Sequence, residues 1–189
     1  MKGIVGYQVN HRDGVLGESG QAYDYIMAGN GLFVRAEKLA PGGLALLRAT
    51  VQVAEAPVRE LAPLAPAVEF PQGKPLELHW HAFLALAKQR PSVEVYAAVV
   101  WRDGAYHLAV PEQEGTGAHV EYQAVADTVV DMHSHGHMGA WFSTTDDADD
   151  TGFKVSVVLG RLDMLTYEVE ARVSVYGYHD RVYVGDIFR

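Results

Sequence analysis

Five prolines fall between positions 57 and 75, at Pro57, Pro63, Pro66, Pro71 and Pro75. Each lacks a backbone donor and locks φ, so neither a helix nor a central strand can run through this stretch. The chain is therefore read as a β-rich N-terminal region with a Pro-rich linker or surface strap, residues 1–70, followed by a larger domain, residues 71–189. Upstream of the prolines, short apolar runs alternate with glycine turns. Ala28-Gly29-Asn30-Gly31 precedes Leu32-Phe33-Val34, and Pro41-Gly42-Gly43 precedes Leu44-Ala45-Leu46-Leu47. That punctuation marks strands.

Downstream, Leu76, Trp80, Phe83, Leu84 and Ala87 recur near helical spacing behind Pro75, which predicts a helix over Leu76 to Gln89. Val93 to Trp101 is β-branched and aromatic, apolar on both faces, and reads as a buried strand. Arg102-Asp103-Gly104 turns the chain into a second strand, Ala105 to Val110. A third strand is expected over Ala124 to Met132 and a helix start over Ser143 to Asp150. Gly136 and Gly139 between them should loosen the chain. Val155 to Leu159 reads as a strand, and Leu165 to Tyr176 with Arg181 to Phe188 as a hairpin turning at Tyr178-His179-Asp180. The fold class is α/β or α+β.

No cysteine is present, so any metal site must be built from histidines and carboxylates, and disulfides and thiolate nucleophiles are excluded. No apolar run approaches the length of a membrane span, and the first residues lack a secretion-signal core, so a cytoplasmic location is expected. A net charge of −9 with only 15 scattered basic residues argues against nucleic acid as a partner.

The chemistry concentrates in Asp131-Met132-His133-Ser134-His135-Gly136-His137 and the acids that follow. Residues two apart in a strand project to one side, so His133 and His135 point together, as two ligands of one ion must. Asp146, from the following helix start, can supply a third ligand and leave a position open for water. Ser143 and Asp146 also carry the spacing of a capping box. Asp is short for reaching back to the N-cap, however, which leaves Asp146 freer for a metal.

Other metal signatures fail. His-Glu-x-x-His is absent. A calcium loop starting at Asp147 would place Val158 where a bidentate Glu is required. His79 and His81 lie two apart on the expected helix and diverge by about 200°. A base is also needed, and Glu94, in a strand with apolar neighbours, is the candidate, with a salt bridge to an arginine as the alternative. Glu77, Glu112, Glu114 and Glu121 fall at helix starts or in loops.

Glu94, His133-x-His135, seven residues, Ser143, two residues and Asp146 together resemble the JAMM (MPN-plus) zinc metalloprotease motif of the JAB superfamily, prokaryotic members included. The resemblance covers about Leu76 to the C-terminus. Together with the length and the N-terminal region, it is similar to the subgroup known as PRTRC system protein A. It implies a curved mixed sheet flanked by helices with the metal at a sheet edge. One Zn²⁺ would be held by His133, His135 and Asp146, with Glu94 as general acid and base and Ser143 as a hydrogen-bond donor to the oxyanion. It further implies hydrolysis of a peptide or isopeptide bond next to a ubiquitin-like or sulfur-carrier-like protein. Two departures stand out: Gly136 where many relatives have proline, and His137, which could complete a three-histidine site for small substrates. A non-catalytic scaffold for protein interaction is the other alternative. Exposed β edges permit dimerisation without demanding it.

Overall fold

The computed structural model describes residues 3–115 and 120–189. In chain order, its elements begin with β1 (Val5–His11), β2 (Gly14–Glu18), β3 (Tyr23–Ala28), β4 (Gly31–Leu39), β5 (Ala45–Glu55) and β6 (Ala67–Glu69). There follow α1 (Glu77–Gln89), β7 (Tyr96–Arg102), β8 (Ala105–Ala109), β9 (Gln113–Gly115), β10 (Val120–Tyr122), β11 (Thr128–Ser134) and α2 (Thr144–Asp149). The chain closes with β12 (Phe153–Gly160), β13 (Glu168–Val175), β14 (Tyr178–Arg181) and α3 (Val184–Ile187). Backbone contacts group these into two units. One comprises Met1–Gln72 with Thr151–Phe153 and Val173–Asp180, the other Gly73–Asp150 with Lys154–Arg172 and Arg181–Arg189.

In the first unit a six-stranded sheet runs in the order β2-β1-β3-β4-β5-β6. It is mixed: β1 pairs β3 in parallel, with Tyr7 opposite Tyr25, whereas β1–β2, β3–β4, β4–β5 and β5–β6 are antiparallel. Ile26, Ala28 and Phe33 form a buried cluster on it. The Pro-rich stretch is irregular, with turns at Arg59-Glu60 and Pro71-Gln72 and only the three residues of β6 in a sheet. Its carbonyls are taken up by side-chain amides: Asn10 Nδ2 donates to Ala62 O at 3.0 Å and Asn30 Nδ2 to Leu64 O at 2.9 Å. Proline removes donors but leaves acceptors, so a strap of this composition needs asparagine or a backbone N–H as its neighbour.

The second sheet runs β14-β13-β12-β11-β7-β8. β7 is antiparallel to β8 and β11, whereas β11 is parallel to β12, so this sheet too is mixed. Val95 to Val100 are all buried, as an apolar run on both faces requires, and Val129, Val130, Met132, Val155, Val157, Val158 and Leu159 continue the core. α1 starts one residue beyond Leu76 and buries Trp80, Phe83 and Ala87. The expected turn at Asp103-Gly104 forms, with φ of 50° and 77°.

Two expectations are corrected. The C-terminal hairpin turns at Tyr176-Gly177, φ 48° and 90°, so Tyr178-His179-Asp180 lies inside β14, and Val184–Ile187 is a helical turn and not a strand. The third strand of the second unit begins at Thr128 and not at Ala124. The expected α+β class holds: two mixed sheets carry a few short helices, α2 having 6 residues and α3 having 4. Among the described residues no helix is long and apolar enough to cross a membrane.

Candidate metal centre

β11 is an interior strand, held between β7 and β12, and His133 lies one residue from its end. The site is therefore at the end of a central strand and not at a sheet edge. His133 sits opposite Tyr96 on one side and Val158 on the other. His135 lies beyond the strand, yet its N–H still donates to Leu159 O at 2.7 Å, so the ladder carries both imidazoles to the same face.

His133 Nε2 lies 3.2 Å from His135 Nε2 and 3.3 Å from Asp146 Oδ1. Among the described residues these three form a group whose candidate ligand atoms all lie within 4.8 Å of one another. Zn–N and Zn–O bonds of about 2.0–2.1 Å put tetrahedral ligands about 3.3 Å apart, and two of the three edges match that spacing. The donor chemistry fits as well. Gly139 O can only accept, so His135 Nδ1, at 3.2 Å, carries the hydrogen and Nε2 presents its lone pair to the centre. Burial, and then the neighbouring His133, hold the His135 pKa below the usual imidazole value, which keeps the ring neutral. Trp141 and His135 meet edge to face, centroids 4.8 Å apart.

Asp146 corrects the choice drawn from the sequence between a cap and a ligand. Its Oδ2 accepts from Ser143 N at 2.6 Å and from Ser143 Oγ at 2.7 Å, while Ser143 Oγ accepts from Asp146 N at 3.2 Å. The capping box is complete, so Asp does reach back. Oδ1 still faces His133. One carboxylate serves the helix with one oxygen and the centre with the other.

Glu94 lies in the extended lead-in before β7, two residues ahead of the strand, and is 8 % exposed. It lines a cleft of about 280 Å³ with His133, His135, Met138, Trp141, Ser143 and Asp146. What brings it there is Ser134, the residue between the two histidines. Ser134 Oγ accepts from Val95 N at 3.1 Å, and Ser134 N donates to Val95 O at 2.9 Å. Sequence reasoning passed over Ser134; the available signal was a small polar residue lying between two histidines at the end of a buried strand.

Gly136 and Gly139 do not loosen the chain. Gly136 has φ 56°, and a Cβ there would lie 2.5 Å from Pro91 O. Leu162 N donates to Gly136 O at 2.9 Å, Arg161 N to Met138 O at 2.6 Å, and Ala140 N to Glu168 Oε2 at 3.2 Å. The loop that presents Gly139 O to His135 is thus pinned at three points. His137 turns away from the histidine pair: its Nδ1 lies 3.5 Å from Asp163 Oδ1. His79 and His81 stay with α1, His79 bonding Leu76 O and Tyr106 O, and His81 facing Glu77 at 4.0 Å.

Residues 77–174 match the family model described as prokaryotic homologues of the JAB domain. No curated protein matches the sequence. The match reaches the family and not a subgroup within it. It spans α1, the histidine pair, Ser143, Asp146 and most of the second sheet, more than half of the 189 residues. The chain belongs to the family of prokaryotic JAB-domain homologues.

Proposed function

We propose that this chain is a zinc-dependent hydrolase that cleaves a peptide or isopeptide bond next to a ubiquitin-like or sulfur-carrier-like protein. The observation that carries the reading is the convergence of His133 Nε2, His135 Nε2 and Asp146 Oδ1, with Glu94 and Ser143 lining the same cleft. A zinc ion held by these three residues would supply a Lewis acid that polarises the scissile carbonyl and lowers the pKa of water toward about 7.

The chain's own groups do the rest. Glu94 takes the proton of the attacking water and hands it to the departing amine, so the carboxylate ends the cycle as it began. Ser143 Oγ turns from Asp146 Oδ2 toward the carbonyl oxygen as that atom gains charge. The turn does not strand Asp146, because Oδ2 keeps the Ser143 N–H. The pinned loop and Trp141 hold the imidazole of His135 in place, so little reorganisation accompanies the reaction.

Metal analysis of the purified protein beside Asp146→Asn tests the centre. One equivalent of zinc is expected in the first and little in the second. Glu94→Ala should retain zinc and lose hydrolysis of a fluorogenic isopeptide panel. A wild-type protein that binds no zinc and cleaves nothing would move the chain to the non-catalytic scaffolds.

A further inference from the structure

We propose that Arg172 and Lys154 are positioning residues, whose charges hold α2, and with it the Asp146 carboxylate, against the second sheet. The consequence for metal affinity rests on the function proposed above; the anchoring does not.

α2 is a helix that should not stand by itself. Six residues are far below the length at which a helix is stable in water. Among the described side chains, packing does not supply what length lacks: Thr144, Thr145, Asp147 and Ala148 are exposed and Asp146 only partly covered. The helix has no basic residue in its last turn and ends on Asp150, an acid at the pole where the helix dipole favours cations.

The strands behind it provide the missing cations. Arg172, on β13, is 8 % exposed. Its Nη1 lies 2.5 Å from Asp147 Oδ1, its Nε donates to Asp150 Oδ2 at 2.9 Å, and its guanidinium carbon sits 3.9 Å from the centre of the Phe142 ring. Phe142 immediately precedes the N-cap, so one side chain grips the helix at both ends. Lys154, on β12, lies 3.0 Å from Asp150 Oδ1 and 2.6 Å from Asp131 Oδ2. Burial alone would lower the Lys154 pKa, but Asp131 and Asp150 outweigh it and hold the ammonium above its ordinary value.

The ladder Asp131–Lys154–Asp150–Arg172–Asp147 therefore runs parallel to the ligand pair. Asp131 lies two residues before His133 on β11, and Asp150 four residues after Asp146. The ionic chain ties together the two segments whose separation sets the distance from His133 to Asp146.

The test uses the full chain. Arg172→Met keeps the long stem over Phe142 and removes the charge. Asp150→Asn with Arg172→Met also removes the buried carboxylate that the single change would leave short of a partner, so it tests the idea even where the single variant unfolds. Asp147→Asn trims only the exposed end. Amide exchange of α2 and zinc affinity by chelator competition are measured on each. The expected result is a loss of zinc affinity of about tenfold or more in the double variant. Exchange at Asp147 and Asp150 should accelerate while β11 and β12 stay protected, and Arg172→Lys should recover part of both. A folded double variant with unchanged α2 exchange and affinity within about twofold of wild type overturns the proposal. If the wild type binds no zinc, the hydrolase reading fails, and the exchange data alone decide the anchoring.

Discussion

Replacing Ser134 by alanine deletes one oxygen atom from a fully buried position between the two histidines, and its cost follows from what that oxygen does. It accepts the N–H of Val95 at 3.1 Å, and Val95 is itself 0 % exposed, so no solvent can take its place. A buried amide left without an acceptor costs about 1–3 kcal/mol, and relief of the hydroxyl's own desolvation returns part of it. A net loss of about 2 kcal/mol lowers the midpoint of a domain of this size by roughly 4–8 °C. Urea unfolding followed by tryptophan fluorescence measures the loss, and amide exchange at Val95 localises it. On the proposed function, zinc content should match that of wild type, since His133, His135 and Asp146 are untouched. A cost under about 0.5 kcal/mol with Val95 still protected would refute the argument that Ser134 fixes the strand lead-in carrying Glu94.

Three further outcomes are expected. Gly136→Ala places a β-carbon 2.5 Å from Pro91 O at a φ of 56°, which costs about 1–2 kcal/mol for the left-handed backbone and more for the displaced carbonyl, so the variant should lose at least 2 kcal/mol in urea. His137→Gln should leave zinc content unchanged by metal analysis, because His137 faces Asp163; loss of the metal would restore the three-histidine reading. Burial pushes the Tyr106 hydroxyl up to about 12 from 10.0, so its contribution to stability is complete below about pH 10 and is lost as pH rises toward 12, the unfolded chain ionising first. Comparing urea midpoints at pH 9 and pH 11 should therefore show a smaller decline in Tyr106→Phe than in wild type.

The sequence was most informative where a pattern is local. α1 followed from apolar spacing behind Pro75, and β7 with its turn followed from a β-branched run ending in Asp-Gly. The histidine pair was visible for the same reason, since a two-residue spacing on a strand has one geometric meaning. The C-terminal hairpin escaped because Tyr178-His179-Asp180 has the composition of a turn, whereas the chain reverses at Tyr176-Gly177, with a tyrosine at a positive φ that its residue type does not announce. Around the site, what escaped was long-range. Arg172 reaches α2 from 22 residues away, and Ser134 meets Val95 across 39. Neither separation leaves a trace in local spacing. Gly139 contributes only a carbonyl, which every residue type has.

Asp146 divides its two oxygens between a helix terminus and an ion-binding centre, and this leaves its position with no acceptable neighbour in chemical space. Asparagine matches its length and can still accept at the cap, but it is neutral toward a cation. Glutamate keeps the charge and is the commoner partner in a capping box, yet its extra methylene would carry the second oxygen past His133. Drift at this site is therefore confined from two directions at once. A chain of this fold that did not need the centre would be free to carry glutamate here, since only the cap would then constrain the position.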